Sequence, residues 1–537
     1  VIRDVELETG HVIEEKTITV AGVVECGNGD CESGETARSC PADCALPDEA
    51  TGRSGVSDRR PTVPAVAGGG SQGQKSTTWT TEAWLHNPGA VAAMFVAEIT
   101  ASDDTAPSQA GPFTIEPGQT LFWSDVARDV FGSSGHGALS VDSNQPVLLR
   151  TRTSDSKAGY KATRRSGAVG QELAGIPERL TLAHGDGALY LLGLEQGAGH
   201  ASWLHLHEVD GSSLSVEIGI FNNRGQRVRR VAFEYPSGSA TSLAMTQLGL
   251  RRGSAYATVE VVGGDGRLAV SGSVVDLRTG DRITVPALHE SRTRSSKAGE
   301  IHQLVAVLLH RKGQFAARWR SGLAIVNPTD ISQTVRLVYE GEFSRGGGRG
   351  VVRETVLTVG PKQQLVWNDV LPQLFRMRHR AGSQGSLHLF HSGDLLVDSR
   401  VRNLRRHGGA VGSNLPALGA GDMIGAGDTG LIIGLAHTPA TRTSLGLSEF
   451  SGLPTDVRVA LYATGGAPNL LGIREFSVQA FAHLGIDNLF GVFGLDENPN
   501  QPIVAKVTIL RGGSVCPYAM TIDKKSGDPT MQLAARK

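Results

Sequence analysis

Aromatic residues and long apolar runs are both scarce in this 537-residue sequence. Phe, Trp and Tyr together make up 5% of the chain, and no apolar run reaches the roughly 18 residues that a membrane-spanning helix requires. The net charge of −1 excludes a chain that is basic as a whole and built to bind nucleic acid. The sequence begins at Val1 without an initiating Met or a signal peptide, and we expect a mature secreted chain whose leader has been removed.

Recognisable catalytic motifs are also lacking. The zinc-protease motif H-E-x-x-H does not occur. Gly425–Gly430 matches the nucleotide-binding pattern G-x-G-x-x-G, but the apolar run Leu431-Ile-Ile follows it and predicts a strand where a phosphate site needs a helix. Since no catalytic constellation stands out, we predict a protein that is not an enzyme.

Cysteine occurs in only two places. Cys26, Cys31, Cys40 and Cys44 lie within 19 residues, and Cys516 stands alone in an apolar stretch. An even, clustered set in a loop rich in Gly, Asp and Glu predicts two disulfides and an oxidising compartment, with the pairing left open. Cys516 is expected to be a buried thiol that packs like a small apolar residue, and an intermolecular disulfide is the alternative.

Hard oxygen donors crowd the same loop: Asn28, Asp30, Glu32, Glu35 and Asp43. Calcium takes six to eight oxygen ligands, so we predict a calcium site that the disulfides support. Two alternatives stay open. One is an acidic surface that is only solvated, and the other is a zinc site, for which the first gap between cysteines is suitable.

The loop resembles the short C-G-N-G-x-C-E-x-G-E…C-P-x-D-C module of secreted bacterial surface proteins. Residues 26–44 carry this pattern, although many copies of the module have one further Cys near the place of Thr36 or Ala37. The resemblance implies an extracellular location and bound calcium, and it implies no reaction.

The N-terminal segment is acidic and is predicted to form strands. Residues 1–50 carry 12 acidic and 3 basic side chains, and their charge of −9 leaves about +8 for the remainder (−1 minus −9). Two alternating runs around Thr9-Gly-His predict a hairpin within residues 1–24, or two strands that pair with another sheet. An acidic head on a basic body favours head-to-tail contacts between copies, and a solvated acidic terminus is the alternative.

Beyond residue 75 the sequence repeats itself. The stretch Trp79–Pro88 reads as an apolar strand that ends at Asn-Pro, and the same shape returns 240 residues later at Trp319–Pro328. We expect each Asn side chain to cap its turn and each Trp to cover a core. Four further motif pairs recur in the same order: 117–126 with 361–370, 167–170 with 409–412, 192–194 with 433–435, and 275–281 with 522–528. The chain therefore consists of two halves of two units each.

The motifs also predict local structure. Ser124 and Asn368 are expected to be the N-caps of helices of one or two turns. Asp followed by Gly four residues later in both 275–281 and 522–528 predicts hairpin turns with Gly at positive φ, in which Asp is structural. Arginine-rich runs begin at Arg227 and Arg402, and we expect them at strand edges, where charge prevents unwanted pairing.

One predicted strand carries three candidate metal ligands. His205 and His207 lie on one face of this strand, and Glu208 follows them. Two imidazoles on one face can hold a metal ion. The fourth unit has Gly446 and Ser448 at those two places, so we expect surface histidines instead.

Together these patterns predict an all-β fold with four tandem immunoglobulin-like β-sandwiches of about 110 residues each. Alternating apolar and polar residues, as in 215–220, fit sheets with one buried face. The expected order is N-terminal strands that can be donated to a neighbour (1–24), a Cys-rich calcium-type module (25–45), a linker (46–75), and sandwiches at 76–186, 187–290, 301–422 and 423–537.

The array resembles the tandem W-L-x-N-P-G…P-G-Q-T-L…D-V β-sandwich repeats of large bacterial secreted and surface proteins, over residues 76–537. The resemblance implies scaffolding or adhesion and no uniform activity. We therefore predict an extracellular structural subunit of a bacterial surface filament, sheath or layer, which binds copies of itself through N-terminal strand exchange. The alternatives are a calcium-dependent adhesin or carbohydrate-binding module with a glycan or cell-surface ligand, and a hydrolase with an unrecognised site.

Overall fold

The computed structural model describes most of the chain beyond residue 57 and two short N-terminal strands. The described residues are 2–5, 12–16, 58–68, 71–72, 78–102, 107–155, 168–289, 300–314, 317–342, 350–377, 383–406, 408–495 and 498–537. Within them the protein is all-β, with four sandwiches in tandem and three short α-helices.

The N-terminal strands β1 (Ile2–Val5) and β2 (Val12–Lys16) form an antiparallel pair, with Ile2 opposite Lys16. This two-stranded sheet pairs with no other strand in the described part of the chain. Of the two arrangements that the sequence allows, the structure therefore contains the hairpin.

The first half of the chain contains two sandwiches of nine strands each. Sandwich 1 consists of β3 (Thr62–Gly68), β4 (Ser71–Gln72), β5 (Thr78–His86), β6 (Ala93–Ala101), β7 (Ser108–Ile115), β8 (Thr120–Trp123), α1 (Val126–Phe131), β9 (Gly135–Ser143), β10 (Leu148–Asp155) and β11 (Val169–Ala174). Sandwich 2 consists of a 3-10 turn (Glu178–Leu180), β12 (Ala188–Gln196), β13 (His200–Glu208), β14 (Leu214–Asn222), β15 (Arg227–Tyr235), β16 (Ala240–Ala244), β17 (Gly253–Gly264), β18 (Leu268–Asp276), β19 (Arg282–Pro286) and β20 (Leu288–His289).

The second half repeats this plan. Sandwich 3 consists of β21 (Ile301–Lys312), β22 (Arg318–Val326), β23 (Gln333–Gly341), β24 (Val352–Val359), β25 (Gln364–Trp367), α2 (Val370–Phe375), β26 (Ser383–His391), β27 (Leu396–Leu404) and β28 (Ala410–Asn414). Sandwich 4 consists of a 3-10 turn (Ala420–Asp422), β29 (Thr429–His437), β30 (Thr441–Glu449), β31 (Thr455–Ala463), β32 (Asn469–Val478), β33 (His483–Ile486), α3 (Leu489–Phe493), β34 (Asn498–Arg511), β35 (Val515–Asp523), β36 (Pro529–Leu533) and β37 (Ala535–Arg536).

All four sandwiches share one strand order. In sandwich 2, for example, one sheet has the order β15-β14-β17-β12 and the other β16-β13-β18-β19. When the two-residue β4 of sandwich 1 is not counted, the first strand of each sandwich thus lies beside the sixth. An immunoglobulin domain instead places its first strand in the sheet of the second. In sandwich 3 the long β21 continues from one sheet into the other and pairs with both β26 and β22.

The two Asn-Pro turns have the structure that the sequence predicts. Nδ2 of Asn87 donates to the carbonyl oxygens of Val91 and Ile115 at 2.7 and 3.0 Å, and its Oδ1 accepts from a backbone N–H two residues on. Asn327 makes the corresponding bonds in sandwich 3. Both residues are fully buried, and Trp79 and Trp319 at the other end of each strand are also buried.

Sandwich 1 begins earlier than predicted. The sequence assigns residues 46–75 to a linker, but β3 pairs with β9 and buries Val63 and Val66 in the core of the sandwich. Pro64 is compatible with this strand because it lies at a bulge in the ladder, where Pro is tolerated. The composition of residues 46–75 therefore gave no indication of strand β3.

The helix caps lie one residue later than predicted. The N-caps of α1 and α2 are Asp125 and Asp369, not Ser124 and Asn368. Ser124 instead donates through Oγ to Asp129 Oδ2 at 3.0 Å, within the first turn of α1.

One of the two Arg-rich runs lies at a strand edge and one does not. The run that begins at Arg227 lies on β15, the outermost strand of its sheet, and its side chains are exposed. The run that begins at Arg402 was predicted to lie at an edge, but β27 pairs with both β22 and β28. Packing against two neighbours, rather than charge, decides the position of that strand.

Candidate functional site

The four sandwiches close into a ring. Sandwich 1 contacts sandwich 2 through Arg60, which donates to Glu178 Oε1 at 2.6 Å and to the carbonyl of Val209 at 2.8 Å. Sandwich 3 contacts sandwich 4 through Ser448, whose hydroxyl donates to the carbonyl of Ala306 at 2.6 Å. The ring is completed by contacts between the halves, which join sandwich 2 to sandwich 3 and sandwich 1 to sandwich 4.

The first contact between the halves is a turn of sandwich 2 that holds β28 of sandwich 3. In the turn 276–281, Oδ2 of Asp276 accepts from the backbone N–H of Ala410 at 2.7 Å. Oδ2 of Asp281 accepts from the N–H of Gly412, also at 2.7 Å. We use the word clasp for this contact, in which aspartates of a turn bind a strand of the other half of the chain.

A second clasp joins sandwich 4 to sandwich 1. In the turn 523–528, Oδ2 of Asp528 accepts from the backbone N–H of Gly170 at 3.1 Å. The hydroxyl of Ser526 donates to the carbonyl of Ala168 at 2.5 Å, and a Thr hydroxyl makes the same contact in the first clasp. The motifs 275–281 and 167–170, with their repeats, are therefore the two sides of one kind of contact.

Glycine on the clasped strands is required by close approach. A Cβ atom at Gly412 would lie 2.6 Å from the carbonyl oxygen of Val401, and one at Gly170 would lie 2.1 Å from that of Thr153. In both turns the Gly that follows the first Asp by four residues has positive φ, 77° and 62°, which confirms the predicted hairpin turns.

The clasps bury two carboxyl groups that influence each other. Asp281 and Asp528 are 1% and 0% exposed. Burial raises the pKa of Asp281 well above its usual range, and the charge of Asp528 raises it further. Burial also raises the pKa of Asp528 to about 7, although Arg152 favours its charged form. The second oxygen of each carboxyl group has no hydrogen-bond partner among the described residues.

Two buried arginines add a further contact between the halves. Nη1 of Arg150 in sandwich 1 donates to both carbonyl oxygens of 433–434 in sandwich 4, at 2.9 Å. Arg400 in sandwich 3 donates to both carbonyl oxygens of 192–193 in sandwich 2, at 2.8 Å. These carbonyls lie at bulges in β12 and β29, where the Gly of each repeated motif has φ of 62° or 64°.

The charge of Arg150 is balanced inside the ring. Glu172 on β11 accepts from its Nε at 2.6 Å and from its Nη2 at 2.9 Å, and both side chains are nearly fully buried. Arg400 has Asp398 and Glu195 at 3.9 and 4.0 Å. Each arginine therefore links two sandwiches while its own charge is neutralised.

A cavity of about 190 Å³ lies at the centre of the ring, and residues of all four sandwiches line it. Most of the lining is apolar and includes Leu149, Leu288, Leu415 and Leu533, one from each sandwich. The Arg150–Glu172 pair, Asp422 and a few uncharged polar side chains form the remainder of the wall. The sequence gives no sign of this cavity, because its walls come from strands that are far apart in the chain.

The predicted calcium and disulfide residues lie outside the described residues. They are Asn28, Asp30, Glu32, Glu35, Asp43, Cys26, Cys31, Cys40 and Cys44. In the part of the chain that is described, no group of three or more His, Cys, Asp or Glu side chains is arranged to hold a metal ion.

Cys516 is a buried cysteine on β35, as the sequence predicts. It packs with apolar residues of sandwiches 3 and 4, among them Trp319 and Leu415. The thiol is therefore part of the interface between these two sandwiches.

The predicted surface histidines are in fact buried. His205 is 4% exposed and bonded through both ring nitrogens to Ser242 and Ser273, and burial lowers its pKa to about 3. His207 is covered by sandwich 1, where its Nε2 lies 3.3 Å from Ser140 Oγ. The expectation failed because this sheet face contacts a neighbouring sandwich instead of solvent.

Glu208 has a structural role that its repeat reveals. Its carboxylate accepts hydrogen bonds from the backbone N–H groups of Asp210, Gly211 and Gly238. Glu449, 241 residues later, accepts equivalent bonds in sandwich 4. Both carboxylates therefore fix loops.

The contact between sandwiches 3 and 4 contains a stack of aromatic rings. His302 lies between Phe390 and Phe450, with ring centroids 4.4 and 3.9 Å away, and its Nε2 lies 2.9 Å from Nδ1 of His388. Burial lowers the pKa of His302 to about 3 and that of His388 to about 4. Both imidazoles are thus neutral at neutral pH.

The chain was also compared with known proteins. No protein-family model matches it, and no curated protein does so either. Gly425–Gly430 leads into β29 and not into a helix, as predicted, so this motif lacks the context of a nucleotide site. None of the helices in the described ranges is long and apolar enough to cross a membrane.

Proposed function

We propose that this protein is a non-enzymatic structural subunit of the bacterial cell surface, which assembles with copies of itself through its N-terminal hairpin. The observation that supports assembly is the two-stranded sheet of β1 and β2, which pairs with no other described strand. A lone two-stranded hairpin is at best marginally stable in water. Addition to the edge of another sheet would supply main-chain hydrogen bonds and stabilise it.

The basic edge of sandwich 2 is the acceptor that charge favours. The edge strands β7, β15, β24 and β32 end the four sheets that contain the first strands. β15 carries Arg227, Arg229 and Arg230 against one Glu, whereas β24 and β32 carry one charge of each sign and β7 carries none. Residues 2–16 contain five acidic and two basic side chains. The acidic hairpin of one copy therefore complements β15 of the next.

The ring and the cysteine-rich loop have separate roles in this proposal. The contacts between the halves make the four sandwiches one body, which transmits force without relying on a single linker. The loop 26–44, stiffened by two disulfides and calcium, connects this body to the hairpin outside the cell. Calcium is proposed as a structural ion of the loop.

The test measures the mass of the full chain by light scattering as protein concentration rises. We expect Arg227→Glu/Arg229→Glu to abolish assembly, because it reverses the charge of the acceptor edge. Glu14→Lys/Glu15→Lys in the hairpin should also abolish assembly. An equimolar mixture of these two variants should assemble again, because each supplies the complement that the other has lost.

Two further chains serve as controls. Arg353→Glu on the edge strand β24 should leave assembly unchanged, and deletion of residues 1–24 should abolish it without lowering the thermal stability of the sandwiches. A chain that is monomeric at every concentration, or that assembles equally well without residues 1–24, would contradict the proposal. A monomer that binds glycans or cells when calcium is present would support the adhesin instead.

A further inference from the structure

We infer that the central cavity binds a small uncharged molecule with an apolar body and one hydroxyl group. The cavity volume of about 190 Å³ is larger than that of an engineered apolar cavity of about 150 Å³, which accommodates benzene. One aromatic ring with a short substituent therefore fits the available space. This inference is independent of the proposed assembly.

The charges of the lining exclude an anionic ligand. Arg150 is the one cationic side chain that lines the cavity in the described structure, and it is already bonded to Glu172 and to carbonyl oxygens of sandwich 4. Asp422 also lines the cavity, so the wall carries no unbalanced positive charge. A carboxylate or phosphate would lose its hydration without gaining a partner of opposite charge.

Two residues that line the cavity each carry a polar atom for which a ligand hydroxyl would be a partner. Oγ of Ser271 and Oε1 of Gln532 are buried and have no hydrogen-bond partner among the described residues. Ser271 lies on β18 of sandwich 2 and is 2% exposed, and Gln532 lies on β36 of sandwich 4. Leaving such atoms unpaired is unfavourable. A hydroxyl group donates and accepts, and therefore suits the serine and the amide oxygen alike.

Benzyl alcohol and toluene form a matched pair of probes, because they differ by one hydroxyl group. Isothermal titration calorimetry with the full chain should show saturable binding of benzyl alcohol and weaker binding of toluene. In Ser271→Ala/Gln532→Met the affinity for benzyl alcohol should fall roughly tenfold, which corresponds to one lost hydrogen bond. The affinity of this variant for toluene should stay within about twofold of the original value.

Two further variants control for indirect effects. Ser254 belongs to sandwich 2, as Ser271 does, and its hydroxyl also has no partner among the described residues. Unlike Ser271, it does not line the cavity. Ser254→Ala should therefore bind benzyl alcohol like the unmodified protein. Ala287→Phe places a ring in the cavity and should abolish binding of both probes. If Ala287→Phe does not fold, the affinity of Ser271→Ala/Gln532→Met for benzyl alcohol decides whether the inference holds.

Three outcomes would overturn the inference. The first is no saturable binding of benzyl alcohol to the unmodified protein, as expected for a cavity that holds only water. The second is an affinity of Ser271→Ala/Gln532→Met for benzyl alcohol that equals the affinity of the unmodified protein. The third is unchanged binding in a folded Ala287→Phe protein, which would locate the probe elsewhere.

Discussion

The carboxyl group of Asp281 lies close enough to Asp528 for the charge of Asp528 to raise its pKa. The two residues are 247 positions apart (281 to 528) and occupy corresponding places in the two clasps. Each uses one oxygen to hold a backbone N–H of the other half of the chain. A proton on either carboxyl group removes the repulsion between them, so the clasps connect ring stability to pH.

The contribution of Asp528 to stability should fall as pH rises between about 4 and 7, and Asp528→Asn should remove this contribution. The pKa of Asp528 is raised to about 7 in the folded chain, above the usual value of about 4. The folded chain then binds more protons at this site than the unfolded chain does within this window. The contribution of Asp528 to the free energy of unfolding is therefore complete below pH 4 and is lost as pH rises through 7. Urea unfolding of Asp528→Asn should give a larger free energy of unfolding at pH 8 and a flatter pH profile.

The double variant Asp281→Asn/Asp528→Asn provides the control. Each single substitution removes the charge that disfavours ionisation of the other carboxyl group. At pH 8 the gain in stability of the double variant should therefore be smaller than the sum of the gains of the two single variants. An Asp528→Asn protein that is less stable than the unmodified chain at pH 8 would contradict this account.

Removal of the Arg150 guanidinium should destabilise the protein strongly. Arg150→Met leaves Glu172 buried without its partner and also leaves two carbonyl oxygens of sandwich 4 without a donor. Breaking a buried ion pair by removing one partner costs about 3–5 kcal/mol. Urea unfolding should show a loss of this size.

The matched variant for this prediction is Arg150→Met/Glu172→Leu. It removes the charge that Arg150→Met leaves buried, so it should recover a large part of the lost stability. If Arg150→Met costs less than about 1 kcal/mol, Arg150 does not hold the two halves together.

The sequence predicts the units better than it predicts their arrangement. The Asn-Pro turns at Asn87 and Asn327 and the Asp-Gly hairpin turns follow from local chemistry, because each is completed by hydrogen bonds within a few residues or within one sandwich. Their recurrence at a nearly constant offset was enough to recognise two equivalent halves. Local rules of this kind are reliable where a motif satisfies its own backbone groups.

Contacts between sandwiches could not be predicted in the same way. The motif at 275–281 and the motif at 409–412 were both recognisable as repeats, but spacing along the chain does not indicate which units touch. His205 shows the same limit, because its burial depends on serine side chains of two neighbouring strands and on a covered sheet face. The one usable signal was that the clasp turn and the clasped strand recur together in both halves.

Calcium should bind to the cysteine-rich loop, and this stays a prediction because the loop lies outside the described residues. Asp30→Asn/Asp43→Asn removes two charged oxygen ligands while it preserves side-chain size. Titration of the oxidised full chain with calcium should show binding that this variant weakens by at least tenfold, since calcium affinity follows the charge of its ligands. Asp48→Asn, just beyond the loop, should bind like the unmodified chain, and equal calcium affinity in all three proteins would reject the site.

Acid should weaken the contact between sandwiches 3 and 4. Burial lowers the pKa of His302 to about 3 and that of His388 to about 4, below the usual value near 6.5. At these two sites the unfolded chain therefore binds more protons than the folded chain between pH 6.5 and 4, and the contribution of the two histidines to stability falls as pH falls through this window.

His302→Phe should make this loss on acidification smaller. The substituted ring can still stack between Phe390 and Phe450, but it cannot be protonated. At pH 7.5 the variant should be less stable by about 1 kcal/mol, because His388 loses a hydrogen-bond partner. When the pH is lowered from 7.5 to 5.0, the free energy of unfolding of this variant in urea should rise relative to that of the unmodified chain. His184→Phe, which changes an exposed histidine, should respond to pH like the unmodified chain. The same change with pH in all three proteins would show that the His302 stack does not sense pH.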